Sequence, residues 1–451
     1  RTQAPAARAK TARPAQRIRK GMNSSSPGLP GPFPAGHPAG KERLPRRTPF
    51  LTRSPVMKVL ATPRSFGKNN PELFDILRHA GLDVVRNDTG GILSAAQMRE
   101  KLADCDGLIV GVDPVDATVL AAAPRLRAIA KYGVGLDNID LAACEARGIK
   151  VSRTVGANSE AVADYALALM LGVARKVALI DRRCRERDWS KITGIDLYGK
   201  TVGIIGLGAI GVLVANVALE LGMDVYGYDP FLSVDTALRL DRHVHVVQNL
   251  DELYKVADYV TIHVPYNSST KDTINAEAIS KMKGQVRVLN LARGELVNDE
   301  DMIAALESGR VARYVTDFPN ARIAGVKNVI ALPHLGASTP ESEANCAVMA
   351  VRQLQDYLLN GNIKNSVNLP NVSQDWSGIA RLCMIHKNVP AMLTQIMGVL
   401  SDDNINVENM TNKSKKDYAY TLVDVNTRIT DEVANELRAI PNMIRVRVLN
   451  H

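Results

Sequence analysis

From residue 57 onward, short runs of β-branched and aliphatic residues alternate with longer amphipathic stretches. Strands are predicted at 58–61, 84–85, 108–110 and 129–131, with a helix over 71–80 closed by Gly81. This alternation describes an α/β unit of about 80 residues. It ends in Lys131-Tyr-Gly133-Val134-Gly135-Leu-Asp137-Asn138-Ile-Asp140, a glycine-containing loop whose backbone N–H groups can face an anion. Residues 159–177 follow, apolar almost all round (Ala163, Ala166, Leu167, Met170), so a buried helix is predicted at a domain or subunit interface.

The pattern then tightens into Thr201-Val-Gly-Ile-Ile-Gly206-Leu-Gly208-Ala209-Ile210-Gly211: strand, turn, helix. A helix over 212–221 ends at Gly222, and a strand over 223–228 ends on Asp229. Gly206 permits the sharp turn, Gly208 lets a pyrophosphate approach the backbone, and Gly211 allows the helix to pack closely on the strand. Asp229 lies 23 residues after Gly206, where a carboxylate can accept ribose hydroxyls. No arginine follows for a 2′-phosphate, so NAD is the expected cofactor rather than NADP.

Three further strands carry polar residues at their carboxyl ends. Residues 259–264 end in His263-Val-Pro265, 286–290 in Leu291-Ala292-Arg293-Gly294, and 329–332 in Pro333-His334, while 314–319 hold Asp317. In a doubly wound sheet those ends share one edge beside the dinucleotide, which brings Arg293, Asp317 and His334 together. A helix over 341–359 and an Asn-rich linker, 361–378, lead into β-α-β-β-α-β, the ferredoxin-like order. Its strands are predicted at 379–386, 407–410, 419–425 and 444–449. Its helices are predicted at 391–400, with Asn388 as N-cap and Pro390 at the first helical position, and at 431–439.

Composition changes one part of this picture. The chain of 451 residues has a formal charge of +9, but residues 1–56 hold twelve Lys and Arg against one acid, Glu42. That segment carries +11 and the remainder −2, so the folded part offers no basic surplus for nucleic acid. The segment also holds 10 of the 22 prolines and is expected to be disordered. It reads either as an organellar transit peptide, to plastid or mitochondrion, or as translated sequence upstream of Met57; the second reading is favoured, with a cytoplasmic location. Five scattered cysteines without C-x-x-C spacing read as free thiols. Neither a metal site nor a membrane span is expected.

Taken together, Gly133-Val-Gly-Leu-Asp-Asn-Ile-Asp140, the Gly199–Gly208 segment, His263-Val-Pro265, Asn290-Leu-Ala-Arg293-Gly294 and Pro333-His334-Leu-Gly-Ala-Ser338 resemble the D-isomer-specific 2-hydroxyacid dehydrogenases over residues 57–370. The C-terminal module, with Ile385-His-Lys-Asn388-Val-Pro390 and Asn404-Ile-Asn406, is similar to an ACT domain. The resemblance implies two Rossmann-like lobes, each a doubly wound parallel sheet, plus a ferredoxin-like ACT domain. The implied domains are a substrate lobe, 57–137 completed by 336–372, an NAD lobe, 138–335, and a regulatory module, 378–451.

The resemblance also implies roles. Arg293 would bind the substrate carboxylate, with Gly133, Val134 and Gly135 beside it, and His334 would act as acid and base. Gly206, Gly208, Ala209, Ile210, Gly211, Asp229, His263, Leu291 and Ala292 would line the cofactor, and Asp317 would hold its nicotinamide amide. His386, Asn388 and Asn406 match positions that bind L-serine as an effector. The expected substrate is D-3-phosphoglycerate, handled by a homodimer or homotetramer. The alternatives are a glyoxylate/hydroxypyruvate reductase and a non-catalytic NAD(H)-sensing protein.

Two positions depart from the family. Where a Glu normally charges the catalytic His, this chain has Ala321 or Arg322, so weaker ketoacid reduction near neutral pH is expected, with Asp317 as a substitute partner. Where relatives that take a phosphorylated substrate carry Arg-Ser, it has Gly111-Val112, leaving Arg64 and Lys131 as stand-ins.

Overall fold

A run of four or five aliphatic residues forms a strand here because a parallel strand covered on both faces must be apolar along its whole length. The computed structural model describes residues 56–450 except Asn69; the basic segment lies outside the described residues apart from Val56. Its first lobe is built from β1 (Met57–Ala61), α1 (Glu72–His79), β2 (Leu82–Arg86), α2 (Ala95–Leu102), β3 (Gly107–Val110), α3 (Ala117–Ala121), β4 (Ala128–Lys131), α4 (Leu141–Ala146) and β5 (Lys150–Arg153). The five strands form a parallel sheet in the order β2-β1-β3-β4-β5. β5 pairs with β4, so residues 138–153, expected in the nucleotide lobe, belong to the first sheet; the lobe boundary falls after Arg153.

Helices α5 (Ser159–Ala174) and α6 (Val177–Arg185) lead into the second lobe. It contains β6 (Thr201–Ile205), α7 (Ala209–Glu220), β7 (Asp224–Tyr228), α8 (Val234–Ala237), β8 (His245–Val246), α9 (Leu250–Val256) and β9 (Tyr259–Ile262). Then come α10 (Ala276–Lys281), β10 (Val286–Asn290), α11 (Asp299–Glu307), β11 (Val311–Thr316) and β12 (Val329–Ala331). All seven strands are parallel, in the order β12-β11-β10-β9-β6-β7-β8. The order reverses between β6 and β9, and the carboxyl ends of those two strands therefore part to leave a crevice. α5 packs against α7 inside this lobe through Ala166, Met170 and Val214, while Leu171 on its outer side stays 41% exposed.

After β12 the chain returns through α12 (Pro340–Asn360), started by a Thr339 hydroxyl on the Ser342 N–H and ended by Gly361 at φ 76°. The C-terminal domain follows: β13 (Ala380–Lys387), α13 (Met392–Asp402), β14 (Val407–Lys415), β15 (Tyr418–Val425), α14 (Asp431–Ala439) and β16 (Met443–Asn450). Its sheet is antiparallel, ordered β14-β15-β13-β16, the ferredoxin-like arrangement. The expected cap at Asn388 is corrected: α13 begins at Met392, after Ala391 at φ 64°. The Asn388 N–H instead donates to Asp417 O, tying the loop to the β14–β15 hairpin.

One face of this sheet is covered by α13 and α14. The other rests on the first lobe: Cys383, Ile385, Tyr420 and Leu422 share a core with Leu354, Tyr357 and Leu358 of α12. Beneath that contact Lys150 is wholly buried, its Nζ donating to Ser152 Oγ at 2.9 Å and to Gln353 O at 3.3 Å. Burial pulls its pKa from 10.5 down to about 7. The unfolded chain therefore binds the extra proton between about pH 7 and 10.5, and this residue makes stability rise with pH across that window. Lys150→Met is expected to raise the urea midpoint more at pH 6 than at pH 9; an equal change at both would show that Lys150 is charged throughout.

Candidate active site

The crevice of the second sheet is shaped by three glycines. Gly206 turns the chain at φ 96°, and a Cβ there would lie 2.7 Å from His263 O. A Cβ on Gly211 would lie 2.0 Å from Gly206 O, so the start of α7 can sit against the strand end only as glycine. Gly208, by contrast, faces open space, and it caps α7 without a side-chain acceptor. The first N–H groups of α7, including those of Ala209 and Ile210, thus face that space with no intrahelical partner. This is an anion cradle that a side chain at 208 would fill, and it fits the pyrophosphate of a dinucleotide.

Asp229 stands at the end of β7, where it accepts from Leu207 N at 3.0 Å and Phe231 N at 2.8 Å. Each carboxylate oxygen keeps a lone pair for a ribose hydroxyl. His263 sits across the crevice with Nε2 3.0 Å from Thr261 Oγ1, and burial drives its pKa down to about 4. It is neutral at pH 7 and can pack against the cofactor without adding charge.

Arg293 leaves the end of β10 in a loop that Asn290 organises: Nδ2 of Asn290 donates to Arg293 O at 2.8 Å and Oδ1 accepts from Ala292 N at 3.2 Å. Leu291 is buried beside it and Ala292 half-buried. The guanidinium donates to Ala292 O at 2.7 Å and reaches the first lobe, where Nη2 meets Asp137 at 3.1 Å. Gly135 leaves room at that crossing: a Cβ there would lie 2.2 Å from Nη2, so a side chain at 135 would displace the guanidinium from this position. Gly133, at φ 122°, is pinned by the Thr154 hydroxyl.

His334 lies exposed against the Phe318 ring, centroids 4.4 Å apart, and the Arg293 guanidinium stands 5.6 Å from the centre of the same ring. Among the described residues the imidazole has no hydrogen-bond partner. Ala321 and Arg322 are both exposed, and Arg322 is turned away to Glu300 at 2.9 Å. The nearby carboxylate is Asp317, only 1% exposed, with neither oxygen hydrogen-bonded among the described residues. Burial raises its pKa, while the His334 and Arg293 charges oppose that rise. Arg293, Asp317 and His334 are thereby brought together as expected from their strand ends.

The other expected residues divide. Lys131 is withdrawn as a phosphate partner: its Nζ donates to Gly111 O and to Asn138 Oδ1 at 2.7 Å, leaving it 6% exposed. His386 is buried in the C-terminal sheet, Nε2 at 2.9 Å from Thr421 Oγ1 and Nδ1 at 2.8 Å from Lys387 O, which leaves it no nitrogen for an effector. Asn388 and Asn406 are exposed at the same domain's loop ends. Three participants went unassigned in the sequence: Asp137, Asn290 and Phe318. Each adjoins a glycine or a residue of the recognised loops, and proximity to those loops was the available signal.

A family model described as "D-isomer specific 2-hydroxyacid dehydrogenase, NAD binding domain" matches residues 167–336. The chain is 32% identical over 347 residues to the D-3-phosphoglycerate dehydrogenase of Haemophilus influenzae, covering 74% of this chain and 83% of that protein. The chain belongs to the D-isomer specific 2-hydroxyacid dehydrogenase family. NAD is thus the cofactor of the crevice. The D-3-phosphoglycerate dehydrogenase of Synechocystis sp. is 33% identical over 335 residues, 71% of this chain and 60% of that one. Relatives of that name from Methanocaldococcus jannaschii and Archaeoglobus fulgidus are likewise spanned over about three fifths of their length. Among solved structures, NAD+-bound 3-phosphoglycerate dehydrogenase from Entamoeba histolytica superposes with a TM-score of 0.60 at 28% identity, covering 69% of this chain and 98% of that one.

In this family setting Asp317 yields a two-part test. Its folded pKa lies above the ordinary 3.8, so the folded state holds the extra proton and stability falls as pH rises through that window. Asp317→Asn is expected to raise the urea midpoint of the cofactor-free protein at pH 7, with the gain shrinking toward pH 4. It should also weaken NADH binding about tenfold, the scale of one charged hydrogen bond. Unchanged NADH affinity would remove Asp317 from the cofactor site.

Proposed function

We propose that this chain is an NAD-dependent dehydrogenase that oxidises D-3-phosphoglycerate to 3-phosphohydroxypyruvate, the first step of phosphorylated L-serine biosynthesis. The observation that carries this reading is the meeting of Arg293, from the second lobe, with Asp137 and Gly135 of the first, within reach of His334 and beside the glycine cradle.

In this reading the Arg293 fork holds the substrate carboxylate and orients its C2 toward the crevice. Bound NAD supplies the hydride acceptor. His334 takes the hydroxyl proton on its imidazole as the C–H bond breaks, so C2 loses one hydride, which carries both electrons to the bound acceptor, and the hydroxyl loses one proton to the protein. The return direction reverses each transfer. Asp317 stands where its negative charge favours the imidazolium, in place of the missing glutamate. The Phe318 ring fixes the imidazole and shields it on one face.

The C-terminal domain is read as an L-serine sensor through Asn388 and Asn406. Exposed apolar residues on and around α6, Val177, Ile180 and Trp189, support a homodimer or homotetramer. Among the described residues no helix is long and apolar enough to cross a membrane. A non-catalytic NAD(H) sensor is the second reading, favoured by the imidazole that lacks a hydrogen-bonded carboxylate.

The test is NADH oxidation with 3-phosphohydroxypyruvate, hydroxypyruvate and glyoxylate, each with and without L-serine. Preference for the phosphorylated substrate is expected; preference for an unphosphorylated one moves the reading to a glyoxylate/hydroxypyruvate reductase, and no turnover supports the sensor. Serine inhibition would support the regulatory reading of the C-terminal domain. His334→Asn is expected to lower kcat by roughly 10²–10⁴-fold with NADH affinity retained. A loss below tenfold would mean that another group carries the proton.

A further inference from the structure

The first sheet has a switch point of its own. The chain passes from β1 outward to β2, then crosses to β3, β4 and β5 on the other side. The carboxyl ends of β1 and β3 therefore diverge, and such crevices are where open α/β sheets bind ligands. A cleft of about 620 Å³ lies there, bounded by the turn after β1, the 87–92 loop, Gly111 and Val112, Tyr132 and Glu343 of α12.

Two cations from the turn after β1, Arg64 and Lys68, line this cleft, and among the described residues neither has a hydrogen-bond or ion-pair partner. Of the carboxylates on its walls, Asp113 is committed, accepting from Thr62 Oγ1 and from Leu93 N at 2.8 Å, and is 3% exposed. Glu343 is the remaining acid, so the cations outnumber it. The turn is made by Gly67 at φ 72°, and Ser65 places its hydroxyl 3.3 Å from that of Tyr132 on the wall.

Gly111 explains why these cations come from a different loop. A Cβ on Gly111 would lie 3.7 Å from Pro63 and 3.8 Å from Asp113, ordinary contacts, so a side chain at 111 would start beside the residue that precedes Arg64. With glycine there, the space stays open and positive charge enters it from Arg64 and Lys68. A short chain of bonds ties the cleft wall to the reaction centre: Gly111 O accepts from Lys131 Nζ and Asn138 Nδ2, and Asp137, next to Asn138 in the chain, pairs with Arg293.

We propose that this cleft is the subsite for the distal phosphate of the substrate, with Arg64 gripping two phosphate oxygens and Lys68 supplying a second charge. The proposal rests on the reading of Arg293 and His334 as a dehydrogenase centre. A phosphomonoester suits the pair because the guanidinium fork matches its oxygens and the ammonium adds charge without a fixed geometry.

The experiment compares 3-phosphohydroxypyruvate with hydroxypyruvate in the full chain, as wild type, Arg64→Ala, Arg64→Lys and Lys68→Ala. Both side chains are exposed, so their removal leaves the core intact. Each alanine variant should raise KM for the phosphorylated substrate by about ten- to a hundredfold, the scale of a charged hydrogen bond. Its kcat, and both constants for hydroxypyruvate, should stay within about twofold, and Arg64→Lys should recover part of the loss. An equal loss on both substrates, or no change on either, overturns the subsite. If the wild type reduces no 2-ketoacid, the dehydrogenase reading fails, and calorimetric titration with inorganic phosphate judges the cleft separately. Phosphate binding lost in the double alanine variant supports it; binding that survives there, or is missing from the wild type, overturns it.

Discussion

Burial of α12 is the packing constraint on which the arrangement of the chain depends. One side of this helix lies on the first parallel sheet through Ala347, Ala350, Val351 and Leu354, and its C-terminal half carries the antiparallel sheet on Tyr357 and Leu358. Six such side chains, at about 1.5–3 kcal/mol for each large one, supply stabilisation on the order of 10 kcal/mol. Because α12 begins six residues after His334, that packing also limits where the imidazole can stand. The site and the C-terminal domain are thereby attached to one element.

Polar interactions complete what apolar burial leaves loose. Arg381 and Asp424, both fully buried, pair at 2.5 and 2.7 Å, and the remaining guanidinium protons go to Asn360 O, Gln374 O and Asp375 O. A buried pair is weak support for stability in itself, because desolvation offsets its Coulomb attraction. Its consequence here is geometric: it ties the linker between α12 and β13 to the sheet. Arg447 does the same at the helix end, donating to Tyr357 O and Leu358 O.

Much of this was legible in the sequence wherever the chemistry is local. The glycines at 206, 208 and 211 announce their turn because each answers a short-range steric demand. α14 has the bounds that its sequence predicts, 431–439, with Thr430 as its cap. β5 has no such signal, since Lys150-Val-Ser-Arg153 shows neither an apolar run nor a polar alternation; it is a strand by virtue of β4. The fate of Lys131 was equally hidden, since a lysine that faces a ligand and one that bonds Gly111 O and Asn138 read alike in one dimension. Asp317 is the substitute carboxylate that the sequence offers once 321–322 hold none, and the structure sets its charge against His334 because the end of β11 carries it there.

The shared core at α12 has a consequence for modularity. A C-terminal cassette cut at the linker, around residue 378, would expose Tyr357 and Leu358 on one fragment and Cys383, Ile385, Tyr420 and Leu422 on the other. A seam placed before Pro340 would keep that contact whole but would strip Ala347, Ala350, Val351 and Leu354 from the first sheet. The helix is thus shared property, and shuffling on either side of it would have to rebuild an interface.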